Sequence, residues 1–194
     1  SYFEIVSIAD KEQAKALLGN TKYAAFLGES LSYFNHWDLG ERNPKALISV
    51  LHWHRSYKTD YEVECIAMAN RISVNGHRAA RQAFFAGASE LEISLAFQEG
   101  CSQSEEQLAY PSIVGIDQHA AVLHYWGRSP KRIQKGRRHS LLIDAGASCN
   151  GYAADITRSY AYRDGLFAEL IIELDKVQRR LVQEHRIGCR YIDI

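Results

Sequence analysis

The sequence predicts an α+β fold, on two capped helical patterns, two strand-rich stretches after them and a closing amphipathic helix. Thr59-x-x-Glu62 is a capping box, in which side chain and backbone at a helix start satisfy each other. Tyr61, Cys65, Met68, Ile72, Ala79 and Ala83 then recur at spacings of three, four or seven, predicting a long helix that ends near Gly87. Ser89-x-x-Glu92 caps a second helix ending about Gly100. After a loop to Pro111, residues 112–116 and 120–126 form a predicted hairpin turning at Asp117-Gln118. Residues 140–147 and 153–162 form another, turning around Cys149-Asn150-Gly151. Leu166, Phe167, Leu170, Ile171, Leu174, Val177 and Leu181 are the apolar stripe of the closing helix. The prediction is therefore of helices against a mainly antiparallel sheet.

Residues 1–58 read differently, as strand and helix in alternation. A strand is predicted over 2–8, a helix from Asp10 to Leu18 and a strand from Tyr23 to Leu27. Asn43-Pro44 starts another helix, with Asn as N-cap and Pro at the first helical position. Leu47, Ile48, Leu51 and Trp53 give it an apolar side. This pattern suits the end of an α/β domain. The polar stretch Arg55-Ser56-Tyr57-Lys58 is a hinge, which divides the chain into 1–58 and 59–194. The chain opens at Ser1 inside a strand-like run and closes at Ile194 just after a new apolar pattern starts, so both ends are expected to be cuts through a larger protein.

Composition narrows the function classes. Hydrophobic residues make up 46% and charged residues 24%, an ordinary globular balance. Lys+Arg and Asp+Glu both total 23, so no global charge draws the chain to nucleic acid or acidic lipid. No apolar run approaches the ~20 residues that span a bilayer. Cys65, Cys101, Cys149 and Cys189 are far apart, which argues against a disulfide framework and for a reducing cytoplasm. Arg128 to Arg138 holds six basic residues and no acid, and reads as a solvated loop joining the two hairpins.

Chemistry concentrates on the second hairpin. Leu141-Leu142-Ile143-Asp144-Ala145-Gly146-Ala147 is apolar on both faces except for one charge, and an unpaired buried carboxylate is costly. The returning segment Tyr152-Ala153-Ala154-Asp155-Ile156-Thr157 has the same feature. If the turn centres on Cys149 and Asn150, Asp144 and Asp155 face each other, with Cβ atoms ~4.5–5.5 Å apart. A cation between them relieves their repulsion, and paired hydrolytic metals sit ~3.5–4 Å apart. Thr157 lies on the same face and could hold a carboxylate. Oxygen ligands favour a hard ion such as Mn²⁺ or Mg²⁺. The hairpin alone equally admits a plainer reading: Asp144 ends its strand, Asp155 is solvated, and Arg158 neutralises one of them. His124, at the end of the apolar strand Ala120–Leu123, reads by itself as a core residue, and Tyr110 before Pro111 as a packing residue. His52, His54 and His77 fall on predicted helices and read as structural or surface.

Several motifs resemble one family. His119-Ala-Ala-Val-Leu-His124-Tyr125, Leu142-Ile-Asp144-Ala-Gly146-Ala147 and Asn150-Gly-Tyr-Ala-Ala-Asp155-Ile-Thr-Arg158 are similar to successive motifs of the bacterial Xaa-Pro dipeptidases, members of the pita-bread metallohydrolases. Asn43-Pro-Lys45, Arg55-Ser-Tyr-Lys58-Thr and Val74-Asn-Gly-His77-Arg-Ala-Ala80 are similar to the same enzymes. The resemblance implies a pita-bread catalytic domain from about Thr59, preceded by the end of a creatinase-type α/β domain. It implies that Asp144 chelates one metal and Asp155 bridges two, usually Mn²⁺, with a bridging water as nucleophile. It implies that His124 contacts the substrate near the scissile bond and that Tyr110 lines the pocket. The substrate would be a dipeptide with C-terminal proline and the assembly a homodimer. The family completes its site with one histidine and two glutamates further along the chain, which this sequence does not reach, so the 194-residue piece alone is expected to be inactive. Aminopeptidase P, an organophosphate-hydrolysing relative and a metal-free binding module on the same fold are the alternatives.

Overall fold

A computed structural model describes residues 5–19, 25–29, 32, 37, 39–190 and 192. The chain divides into two compact units, Ser1–Lys58 and Thr59–Ile194.

In the first unit, helix α1 spans Lys11–Leu18, with the Asp10 side chain accepting from the Gln13 amide at 2.8 Å. Helix α2 spans Lys45–Ser56. Its N-cap is Pro44, not Asn43. Asn43 adopts φ 48° and turns its amide to Gly28, donating to the carbonyl at 2.9 Å and accepting from the N–H at 3.0 Å. The expected strands do not form among the described residues: Ile5–Ile8 pair with nothing, and Phe26 makes a single parallel bridge to Arg42. Residues 2–4 and 23–24 of those expected strands lie outside the described residues.

The second unit supplies the site. Helix α3 spans Asp60–Ala86 and α4 spans Glu90–Cys101, each opened by its capping box. Helix α3 closes on Gly87, whose φ of 100° suits a left-handed C-cap that glycine adopts without strain. The buried face of α3 is Cys65, Ala69, Ser73, Gly76, His77, Ala80 and Phe84, one residue round from the predicted stripe. Tyr61 and Met68 are exposed instead. The rotation follows from close helix packing: a Cβ at Gly76 would meet Cys101 Sγ at 2.4 Å, and one at Gly100 would meet the Gly76 Cα at 2.9 Å. The small residues, and not the bulky ones, let α3 and α4 approach.

Strand β1 (Ile113–Ile116), β2 (Ser140–Ala145) and β5 (Ile156–Ala161) form an antiparallel sheet in the order β1-β2-β5. Two-residue strands β3 (Ser148–Cys149) and β4 (Tyr152–Ala153) extend the β2–β5 hairpin to its tip. The core lies between this sheet and the helices, with Val114, Ile116, Leu141, Ile143 and Ala145 packed among Ala80, Phe84, Ile93 and Phe97.

The first predicted hairpin is absent. Residues Asp117–Ala121 form a 3₁₀ turn, residues 122–126 are not a strand, and β1 pairs with β2. Two contacts account for this. The turn folds over Gly115, where a Cβ would meet His119 and Ala120 backbone at 2.8–2.9 Å. The Asp117 carboxylate accepts the His139 and Ser140 N–H groups, both at 2.8 Å, and so delivers the start of β2 to the end of β1.

The basic run is not a uniformly solvated loop. Arg138 is buried, donating to the Phe84 and Ala88 carbonyls at 2.6 and 2.8 Å and thereby closing the C-terminus of α3. Arg128 pairs with Glu105 at 2.6 Å. Arg132 grips Glu92, whose carboxyl is held down at about 2 by that guanidinium and by Ser89.

The closing helix α5, Leu166–Glu184, carries the predicted stripe, yet none of its residues is buried. No described helix is long and apolar enough to cross a membrane.

Burial gives this unit a pH dependence. His77, on α3, is pushed below its ordinary pKa chiefly by burial and further by Arg158, against the raising effect of its bond to the Ala145 carbonyl and, more weakly, of Ile156 and Asp144. The unfolded chain therefore binds the proton more readily. Its contribution to stability is full above the unfolded value of about 6.5 and declines as the pH falls below it. Denaturant titrations at pH 7.5 and 5.5 are expected to show a stability loss in the parent chain that shrinks in H77Q. An unchanged loss in H77Q would assign the effect to other histidines.

Candidate metal centre

Residue alternation along β2 sorts its two faces. Leu141, Ile143 and Ala145 point into the core, while Ser140, Leu142 and Asp144 are half-buried on the opposite face. The strand is thus not enclosed on both sides as its composition suggested, and Asp144 stands on the more open one.

Register then decides what Asp144 faces. Asn150 and Gly151 have φ of 50° and 82°, the two positive values that a type I′ hairpin turn requires. The turn centres on this pair, not on Cys149-Asn150, so Cys149 pairs with Tyr152 and Asp144 pairs with Thr157. Asp155 falls between the two ladders, and the two aspartates are diagonal neighbours instead of direct partners. A two-residue shift preserves side-chain parity, so Asp144, Asp155 and Thr157 still share one face.

Tyr110 brings the carboxylates together. Its hydroxyl lies 2.6 Å from Asp144 Oδ1 and 2.8 Å from Asp155 Oδ1. Burial, with the two carboxylates behind it, drives the Tyr110 pKa upward, so the phenol keeps its proton. That single proton serves two anionic acceptors, which leaves the cluster short of positive charge. Among the described ion pairs none involves either aspartate, and the Arg158 guanidinium donates to the Thr157 carbonyl at 2.8 Å. Paired with Ile143, Arg158 belongs to the other face of the sheet. The ion-pair reading of the hairpin therefore has no geometry behind it here. Hard oxygen donors converging without a counter-charge fit a divalent cation of the Mn²⁺ or Mg²⁺ type. No third His, Cys, Asp or Glu joins them among the described residues.

His124 is placed elsewhere. It occupies an exposed turn at φ 55°, not a strand, and no hydrogen bond among the described residues joins it to the aspartates or to Tyr110. What organises its loop is Glu90, at the first position of α4 and 2% exposed. One oxygen accepts from the Ile116 N–H and His119 Nδ1, both at 2.8 Å; the other accepts from the Tyr125 hydroxyl at 3.0 Å and the Ser129 N–H at 2.8 Å. The His119 and Tyr125 rings stack at 4.5 Å. Sequence reasoning passed over Glu90, since a Glu in a helix's first turn is commonplace. The signal was present in its neighbour, for Ser89 and Glu92 already complete the cap and leave Glu90 without a task there. A cleft of ≈ 640 Å³ opens beside this network, lined by Glu90, His119, Lys131, Arg132 and Arg137 among others, and includes neither aspartate. Glu90→Gln keeps the volume but turns an N–H towards one pair of donors. A stability loss of about 2–4 kcal/mol is expected from the buried donors left unpaired. Faster amide exchange at Ile116 or Ser129 would locate it, and unchanged protection there would contradict the role.

The fold and the cluster define a class: an α+β domain that brings two carboxylates together under one tyrosine hydroxyl. Residues 64–194 match the model of metallopeptidase family M24, and the chain belongs to that family. Over its whole length it is 45% identical to the Xaa-Pro dipeptidase of Shewanella amazonensis and 44% identical to that of Aeromonas hydrophila, covering 44% of each. The X-Pro aminopeptidase of Thermotoga maritima matches 77% of the chain and 43% of its own at 25% identity, with a TM-score of 0.60. The aminopeptidase PepP of Pseudomonas aeruginosa matches 64% of the chain and 27% of its own at 30% identity, with a TM-score of 0.52. The second unit is accordingly part of a pita-bread catalytic domain, and the chain spans less than half the length of the curated relatives it matches.

Proposed function

We propose that the full-length protein containing this chain is an Xaa-Pro dipeptidase with a dinuclear site, in which Asp144 would hold one ion and Asp155 would be shared between two. The observation that carries the reading is the Tyr110 hydroxyl held between both carboxylates. Identity near 45% to Xaa-Pro dipeptidases along the entire chain supports the substrate class, a dipeptide ending in proline. Divalent ions held there, with Mn²⁺ as the proposed metal, would supply Lewis acidity and make a water acidic enough to act as nucleophile near neutral pH. The chain's own residues do the rest. Tyr110 orients the carboxylates and lines the pocket, and Thr157 faces Asp144 across the hairpin. His124, on its exposed turn here, would have to be carried to the site by its loop to meet the substrate carbonyl and steady the developing oxyanion. A proline nitrogen carries no N–H and its ring fixes the local geometry, which calls for a dedicated pocket. Four free cysteines accord with a reducing cytoplasm. The assembly we propose is a homodimer.

Release of proline from Xaa-Pro dipeptides, compared with longer Xaa-Pro peptides and with a phosphotriester, tests the substrate assignment. Preference for the longer peptides would favour the aminopeptidase reading that the structural relatives' names suggest. The isolated 194-residue chain with Mn²⁺ is expected to give no turnover, because two carboxylates, with no third ligand among the described residues, hold metal weakly. Turnover by that chain would refute the proposed division of ligands.

A further inference from the structure

One helix face is joined to the backbone of the aspartate hairpin in a way that neither packing nor capping requires. His77 Nε2 donates to the Ala145 carbonyl at 3.1 Å, and Ser73 Oγ accepts the Ala147 N–H at 2.8 Å. The two side chains are four residues apart on α3, a rise of about 6 Å. Their targets are two apart on the extended segment that continues β2, about 6.8 Å at strand spacing. The helix and strand periods match well enough for α3 to grip both sides of Gly146.

Gly146 is also where the three site-bearing segments meet. Its carbonyl accepts the Ala109 N–H at 3.0 Å, one residue before Tyr110. The next carbonyl, of Ala147, accepts the Ala154 N–H at 2.9 Å, one residue before Asp155. Asp144 precedes Ala145 directly. The neighbours of Asp144, Asp155 and Tyr110 are thus fixed to a three-residue junction, and α3 holds that junction from the core side.

A purely packing role would not call for a histidine. The ring is 6% exposed and stacks edge-on against Phe97 at 5.2 Å, a task phenylalanine performs equally. Choosing histidine leaves Nδ1 buried with no hydrogen bond of ordinary geometry, a destabilising feature that the nearby Ile156 carbonyl only partly offsets. What histidine adds is the Nε2–H bond to Ala145. We infer that His77, assisted by Ser73, is a positioning residue that sets the metal-binding geometry of Asp144 and Asp155 through the Ala145–Ala147 backbone. The inference rests on reading those aspartates as metal ligands.

The test uses the full-length protein and the variants H77F, H77Q, S73A and D144N. H77F keeps the ring and loses the donor. H77Q restores an N–H at nearly the same reach. Mn²⁺ affinity by calorimetry and the visible spectrum of the Co²⁺-substituted protein are read beside thermal unfolding. H77F is expected to bind Mn²⁺ about tenfold more weakly, the scale on which supporting residues act, with an altered Co²⁺ spectrum. H77Q is expected to recover most of the affinity. Wild-type affinity and spectrum in H77F, with binding lost in D144N, would overturn the positioning role alone. Wild-type binding in D144N would overturn the metal reading and this inference with it. Should H77F not fold, S73A decides: weakened Mn²⁺ binding supports the grip, and unchanged binding refutes it.

Discussion

Asp155→Asn in the full-length protein is expected to empty the metal site and abolish hydrolysis. The amide keeps the shape of the side chain but presents one neutral oxygen, which cannot bridge two cations. Tyr110 still satisfies Asp144, so the hairpin has no reason to unfold. Residues that merely support a ligand contribute about 10–100-fold to metal affinity, so loss of the proposed bridging ligand should exceed about 100-fold. Elemental analysis of the purified variant reads the outcome directly. Metal content equal to the parent's would return Asp155 to the role of a solvated hairpin residue.

Gly146→Ala is expected to be strongly damaging. A Cβ there would sit 1.7 Å from the Ala154 carbonyl oxygen and 2.6 Å from its carbon, so backbone must move. Overpacking of rigid surroundings costs about 1–3 kcal/mol, and a backbone obstacle belongs at the upper end or beyond. The displaced segment leads straight into Asp155, so metal affinity should fall together with stability. Urea titration and Mn²⁺ calorimetry on the same sample check both. An alanine variant of parental stability would mean that the junction is pliant, and would weaken every argument built on it.

The helices of the second unit were legible in the sequence because their signals are local. Thr59 with Glu62 and Ser89 with Glu92 cap the helices that their spacing predicts. The buried face of α3 lies one residue round from the expected stripe, on residues such as Ala69, Ser73 and Gly76 whose small side chains carry little hydrophobic signal. Gly76 is core because α4 comes so close, and Ser73 because it accepts the Ala147 N–H. The hairpin register could have been read correctly: Asn150-Gly151 is a stronger turn signal than Cys149-Asn150, and centring on it gives Asp144 opposite Thr157. The strand expected at His124 failed for a non-local reason. Asp117 hands the chain to β2, twenty-odd residues later, and that pairing leaves 122–126 outside the sheet.

The sequence by itself determined the class of fold, the two capped helices, the hairpin and the pair of aspartates on it, because each rests on residues a few positions apart. Tertiary structure alone decided that Tyr110 joins the two carboxylates, 34 and 45 positions away. It alone decided that Glu90 gathers the His124 loop and that His77 reaches the junction behind Asp144, 68 residues distant at Ala145. A hydrogen bond depends on position in space, and sequence periodicity reports only which face a residue is on. The stripe on α5 makes the same point: its spacing was read correctly, yet spacing carries no information about what lies opposite.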